Sequence, residues 1–161
     1  MVTLLTVYDT RGLSHGPCKS NTSEGAILFA TAKDAEQTFY RAFAAADFQT
    51  MKTVWADHDI ACIHPGSEML LGPQEVLASW SQVLATQGAV TLRVELLYRL
   101  AQEQQVIHVV REHFGDPAHA DARPVLATNV YRREQDGWRM RLHHASVDAA
   151  VGASVQRVSL H

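Results

Sequence analysis

Cysteine is scarce in this chain. There are two, Cys18 and Cys62, and their spacing makes no CxxC-type zinc site. A single disulfide could join them, but two free thiols in a cytoplasmic protein are the expectation. An excess of positive charge is also missing. The formal net charge is -3, whereas a general nucleic-acid binder needs a clear basic surplus. No apolar run approaches the ~20 residues of a membrane span. The apolar stretch 2–7 is too short for a signal-peptide core, lacks a basic flank and runs into Asp9 and Arg11. There is no internal repeat and no low-complexity tract. What is present is ordinary for one soluble domain with its own core: 161 residues, 47% apolar and 19% charged. Neither a membrane nor a nucleic acid is expected as a partner.

Three parts are expected. Residues 1–30 form an N-terminal extension or arm, punctuated by Gly12, Gly16, Pro17 and Gly25. Residues 31–149 form the domain, and 150–161 a weakly patterned tail. Within the domain, Thr31 and Asp34 read as a capping box. Ala35, Phe39, Ala42, Phe43 and Ala46 then recur at helical spacing, with Tyr40 beside that face. Asp47 can cap a shorter second helix carrying Phe48, Met51 and Trp55. Residues 60–63 are apolar and too few for a helix, so they read as a buried strand ending at His64-Pro65-Gly66. Residues 69–71 suggest a short return strand. Gly72-Pro73 opens a third helix on which Val76, Leu77, Trp80, Val83 and Leu84 form one face, ending near Gly88.

After Gly88 the texture becomes β. Leu92, Val94, Leu96 and Tyr98 alternate with charged residues over 90–100, and strands follow at 106–114, 125–135 and 138–147. Asp136-Gly137 is the strongest hairpin signal in the chain. With those two residues as the turn, Gln135 faces Trp138 and Asn129 faces His144. Asn129, Tyr131, Met140, Leu142 and His144 then share one face, which is the more apolar and so points inward, while His143 points outward. The order of elements is helices first and a meander after, an α+β arrangement with one curved sheet wrapped on helices.

Several separated stretches resemble the SnoaL-like branch of the NTF2-like superfamily. They are Phe39-Tyr-Arg-Ala-Phe-Ala-Ala-Ala-Asp47, Val54-Trp55, Cys62-Ile-His-Pro-Gly66, Ser79-Trp80, Ala127-Thr-Asn-Val-Tyr131 and His143-His-Ala-Ser146. The resemblance spans about 31–147, and Val147 stands where such sequences usually have proline. It implies a cone of curved antiparallel sheet closed by three helices, usually homodimeric, with a deep pocket between helices and sheet. The superfamily includes ketosteroid isomerase, scytalone dehydratase, polyketide cyclases and a kinase association domain, so the fold alone assigns no activity. Compared with the isomerase, His64 occupies the place of the general base and Asn129 that of the oxyanion-binding acid. The isomerase's first-helix tyrosine aligns with Phe39 rather than Tyr40.

The implied site has His64, His144 and Asn129 as catalytic candidates. Phe39, Tyr40, Phe43, Trp55, Trp80, Glu112 and Tyr131 are ligand-binding candidates. A neutral imidazole suits proton transfer near pH 7, which makes His64 a base; alternatively it ties the His-Pro-Gly corner by hydrogen bonding. Asn129 either donates to an oxyanion or is satisfied by His144. Glu112 is a second acid–base candidate if it faces inward. The expected ligand is a small hydrophobic or carbonyl-containing molecule, without cofactor. The nine histidines make no ligand set by spacing, and His64, His144 and Glu112 are the one combination that could hold a metal; none is expected. Two functions fit: proton abstraction next to a carbonyl, of isomerase, cyclase or dehydratase type, or a non-catalytic dimeric association or ligand-sensing module.

Overall fold

The computed structural model describes residues 7–9, 29–115 and 123–149. The expectations for Cys18, for most of the N-terminal arm, for the loop centre at 116–122 and for the tail fall outside the described residues. Three helices, α1 (Ala32–Ala45), α2 (Phe48–Val54) and α3 (Gly72–Gln87), pack on the concave side of one seven-stranded sheet. The strands are β1 (Val7–Asp9), β2 (Ala61–Ile63), β3 (Met69–Leu71), β4 (Leu92–Ala101), β5 (Gln105–Phe114), β6 (Val125–Glu134) and β7 (Gly137–Val147). Their spatial order is β1-β4-β5-β6-β7-β2-β3. This is the expected α+β fold, a curved sheet around helices. Every pairing is antiparallel except β2 on β7, which is parallel because the chain reaches β2 from the helical side rather than by a hairpin.

The local signals act as their chemistry dictates. Thr31 and Asp34 form a reciprocal capping box on α1. Asp47 accepts from the Thr50 hydroxyl and amide and caps α2, and these bonds to its charged form lower its pKa. Pro73 sits in the first turn of α3, where no amide partner is lost. An aromatic cluster fills the cone. The Phe39 ring meets Tyr40, Trp55 and Trp80 edge-on at 5.0, 6.3 and 5.2 Å, and Phe43 meets Trp80 and Phe114 at 5.3 and 5.7 Å. Each such pair adds roughly 0.5–1.5 kcal/mol beyond its buried area.

Two β-bulges decide which side chains enter that core. On β4 the pairing steps from Leu96↔Val110 to Tyr98↔Val109, so Leu97 is the extra residue and Tyr98 turns outward, 57% exposed. On β7 it steps from Tyr131↔Met140 to Val130↔Leu142, with Arg141 as the extra residue. The second bulge overturns the expected orientation of the two histidines. Asn129 faces His143, which is buried, and Thr128 faces His144, which is exposed. The cause lies outside the hairpin. The end of α2 bridges to Met140 through Trp55 and the Ala56 amide, while β2 pairs with residues 142–144. One residue must be absorbed between those two attachments, and one residue flips every later side chain.

The hairpin turn is also shifted. Glu134 pairs with Gly137, leaving Gln135 and Asp136 as the turn. Gly137 has φ +115°, and a Cβ there would stand 2.8 Å from the Phe29 carbonyl oxygen. The Trp138 amide donates to that same oxygen at 2.9 Å. Glycine is needed here for the close approach of the incoming chain.

Candidate functional site

α1 presents Glu36 and Tyr40 to the sheet one helical turn apart, about 6 Å along the axis. β5 presents His108 and Glu112 on one face, about 13 Å apart along the strand. Helix and strand are cross-linked twice: His108 Nδ1 lies 2.7 Å from Glu36 Oε2, and the Tyr40 hydroxyl donates to Glu112 Oε1 at 2.8 Å. β6 and β7 extend the second link. Asn129 Nδ2 donates to the Tyr40 oxygen at 2.9 Å, and His143 Nδ1 lies 2.7 Å from Asn129 Oδ1. Tyr131 donates to Glu36 at a long 3.4 Å. All seven of these residues are at most 2% exposed.

The direction of the chain follows from its donors. Tyr40 has one proton, given to Glu112, so it accepts from the Asn129 amide nitrogen. The Asn129 oxygen then accepts, which places the His143 proton on Nδ1. Burial pushes the Glu112 carboxyl up to about 7; Glu36 adds to the rise and the Tyr40 hydrogen bond opposes it. Burial and then the nearby Glu112 and Glu36 raise Tyr40 well above the usual phenol range. Burial, with the neighbouring His64 and His144, brings His143 down to about 3 and keeps it neutral.

The residues expected from the sequence distribute as follows. Asn129, Tyr40, Glu112 and Tyr131 meet in this interior. Phe39, Phe43, Trp55 and Trp80 line the aromatic cluster beside it, with Phe39 and Trp80 5.2 and 5.7 Å from the His143 ring. His64 is half-buried at the margin; its Nε2 lies 2.8 Å from Ser79 Oγ and its ring 4.9 Å from Trp80. Burial lowers its pKa. The corner backbone is tied by Ser67, which accepts from the His64 amide and donates to its carbonyl. Beside it, the buried free thiol of Cys62 is pushed up to about 12 by burial. His144 does not join the site: it stands on the outer face, and His143 takes the inward place assigned to it. Phe39 stands in the position compared with the isomerase tyrosine, yet the next residue, Tyr40, brings the hydroxyl into the interior.

Glu36, His108 and His143 were not anticipated. A signal for two of them is visible. Glu36 lies in register with Phe39, Tyr40 and Phe43 on the apolar stripe of α1, and His108 shares the parity of Val106 and Val110. A charged group in phase with a buried face requires a buried partner.

The sequence profile of the SnoaL-like domain family matches residues 33–150. The chain belongs to that family. A Thiobacillus denitrificans protein, provisionally named a calcium/calmodulin-dependent protein kinase type II association domain, is 42% identical with a TM-score of 0.72, over 76% of this chain and 98% of its own. A Streptomyces avermitilis protein, provisionally named a dehydratase of the NTF2-like family, is 29% identical with a TM-score of 0.63, over 71% of this chain and 91% of its own. The F-box protein SKIP8 of Arabidopsis thaliana is 26% identical over 100 residues, 62% of this chain; the match spans 42% of that relative's length. Among the described residues no helix is long and apolar enough to cross a membrane.

Proposed function

We propose that this SnoaL-like protein binds a small carbonyl-containing molecule against the buried face formed by α1, β5, β6 and β7, and moves a proton next to the carbonyl. The observation that carries the reading is Glu112. It is a buried carboxyl pushed up to about 7, so near neutrality it is a proton donor, and Tyr40 fixes one of its oxygens. The Asn129 amide nitrogen, which donates to Tyr40, carries a second N–H in the same cluster. These two donors suit an oxygen that gains charge as a neighbouring C–H is broken. Val110 and Ala127 pair on the sheet between them. Isomerisation, cyclisation and dehydration all fit this step, and the dehydratase name of the Streptomyces avermitilis neighbour accords with it. The buried free Cys62 accords with a cytoplasmic setting. The test is titration of the labelled protein with cyclohexanone and 2-decalone, followed by amide NMR. Shifts centred on Tyr40, Glu112 and Asn129 that weaken in Glu112→Gln are expected; no shift at any of them overturns the reading.

The second reading, a dimeric association module, is favoured by the outer face of the sheet. Leu100, Ile107, Val130, Leu142, Ala61 and Leu71 form one apolar row across six strands. Leu100, Leu71, Met69 and Tyr98 on that face are 41–57% exposed. The 42% identical neighbour carries an association-domain name. Light scattering on the wild type and on a Leu71→Gln, Tyr98→Ser, Leu100→Gln variant decides it: a dimer reduced to monomer supports the module, and a monomeric wild type removes it. A homodimer is compatible with the interior site, since the two faces are opposite.

A further inference from the structure

His108 Nε2 is one of four side-chain polar atoms buried without a hydrogen-bond partner among the described residues. Of these four it alone belongs to the polar interior with Glu112 and Asn129; Asn129 is its direct cross-strand neighbour. Its other nitrogen is engaged at 2.7 Å by Glu36, which is itself buried and held by Tyr131. An imidazole nitrogen in that condition forfeits the hydrogen bonds it has in water, and native interiors rarely leave one so. A carboxylate on Nδ1 holds the proton there, fixes the ring and leaves the Nε2 lone pair free. That is the arrangement in which an imidazole accepts a proton from a bound molecule.

We infer that His108 is the base of the interior site, with Glu36 as its positioning residue, and that the acidic C–H of the ligand docks at His108 Nε2 while its carbonyl oxygen lies at Asn129 and Glu112. The inference rests on the carbonyl reading given above. In the step, the C–H proton passes to Nε2 and its electron pair becomes the enolate, whose oxygen takes hydrogen bonds from Asn129 and the Glu112 hydroxyl. The imidazolium then returns the proton, to the same carbon or to another. No oxidant or reductant is involved. The assignment moves the base from His64, at the half-buried margin, to a residue paired with a carboxylate.

Two measurements test it. Imidazole ¹⁵N NMR of the full chain at pH 7.5 reads the ring without any ligand. His108 is expected with Nδ1 protonated and Nε2 bare, and Glu36→Gln should spread the proton over both nitrogens. Protonation of both nitrogens in the wild type overturns the proposal, since His108 would then be a structural cation. Deuterium uptake from D₂O beside the carbonyl of cyclohexanone and 2-decalone reads the chemistry. His108→Asn should lower it by about 100-fold or more while ketone-induced amide shifts persist at Glu112 and Asn129, and His108→Gln should do the same should the first variant not fold. Unchanged uptake overturns the proposal. Ketones that neither bind nor exchange overturn the carbonyl reading and, with it, the abstraction step; ketones that bind normally but exchange independently of His108 overturn the step alone.

Discussion

The two faces of the sheet are built from alternate residues of the same strands, yet they follow different physics. On the inner face of β5, β6 and β7, His108, Glu112, Asn129 and His143 are all at most 2% exposed, and their hydrogen bonds join them to α1. On the outer face, His144, Arg111, His113 and Glu95 are partly or fully solvated. Burial displaces His143 to about 3 and Glu112 to about 7. The same residue type, one position apart, is a held neutral donor to Asn129 at 143 and a solvated side chain at 144. Desolvation separates them: a polar group in the core has to be paired, and pairing in low dielectric makes its protonation state a property of the fold.

The largest contrast should come from truncating the two histidines. His143→Ala opens the aromatic cluster and leaves the Asn129 oxygen without its donor, and should lower stability by about 3 kcal/mol. His144→Ala should stay within about 0.5 kcal/mol. Urea unfolding compares them, and equal losses would erase the distinction between the faces.

The pH dependence of stability should come next. Glu112 is raised from an ordinary value of 4.5 to about 7. Between those values the folded chain keeps a proton that the unfolded chain has released, so this contribution is complete below about pH 4.5 and is lost as pH rises through 7. His143 is lowered from 6.5 to about 3. Its contribution is complete above about pH 6.5 and is lost as pH falls toward 3. Between pH 4.5 and 6.5 the two slopes oppose each other. Glu112→Gln should therefore uncover stability rising by about 1.4 kcal/mol per pH unit in that window, and His143→Asn should uncover a fall of similar size. Urea midpoints at half-unit steps read both signs. A flat profile in both variants would mean that neither group is desolvated.

A smaller effect is expected at the turn that joins β6 and β7. Gly137→Ala forces a Cβ against the Phe29 carbonyl at a φ that L residues disfavour, and should lower stability by about 2 kcal/mol. An unchanged urea midpoint would show that the Phe29 contact yields without loss. The smallest effect belongs to the outer face itself. Tyr98→Ser should leave the stability of the monomer within about 0.5 kcal/mol, measured at a protein concentration where dimers are absent.

Much of the fold was legible because its signals are local. The capping box at Thr31, the Asp47 cap, the Pro73 helix start and the change to alternation after Gly88 each depend on a few adjacent residues, and each element forms where they place it. Part of the buried polar cluster offered as the candidate site was legible too. Asn129 and Tyr131 keep their inward parity because β6 runs without interruption from the hairpin, and Tyr40 and Glu112 fall among the expected ligand-binding residues. The error over His144 has a single origin. Parity was carried along β7 from the turn, and Arg141 is an extra residue in that strand. No short-range pattern marks it, because the bulge accommodates two attachments made by distant segments, Trp55 with Ala56 and β2.

The sequence by itself determined the family, the order of helices and strands, and a polar set amid aromatics, since these follow from periodicity, caps and residue type. Tertiary structure alone decided which histidine turns inward, that Glu36 meets His108, and that burial pushes the Glu112 carboxyl up to about 7. Side-chain parity in a sheet can be reset by one residue, and a buried group's protonation depends on what distant elements bring against it.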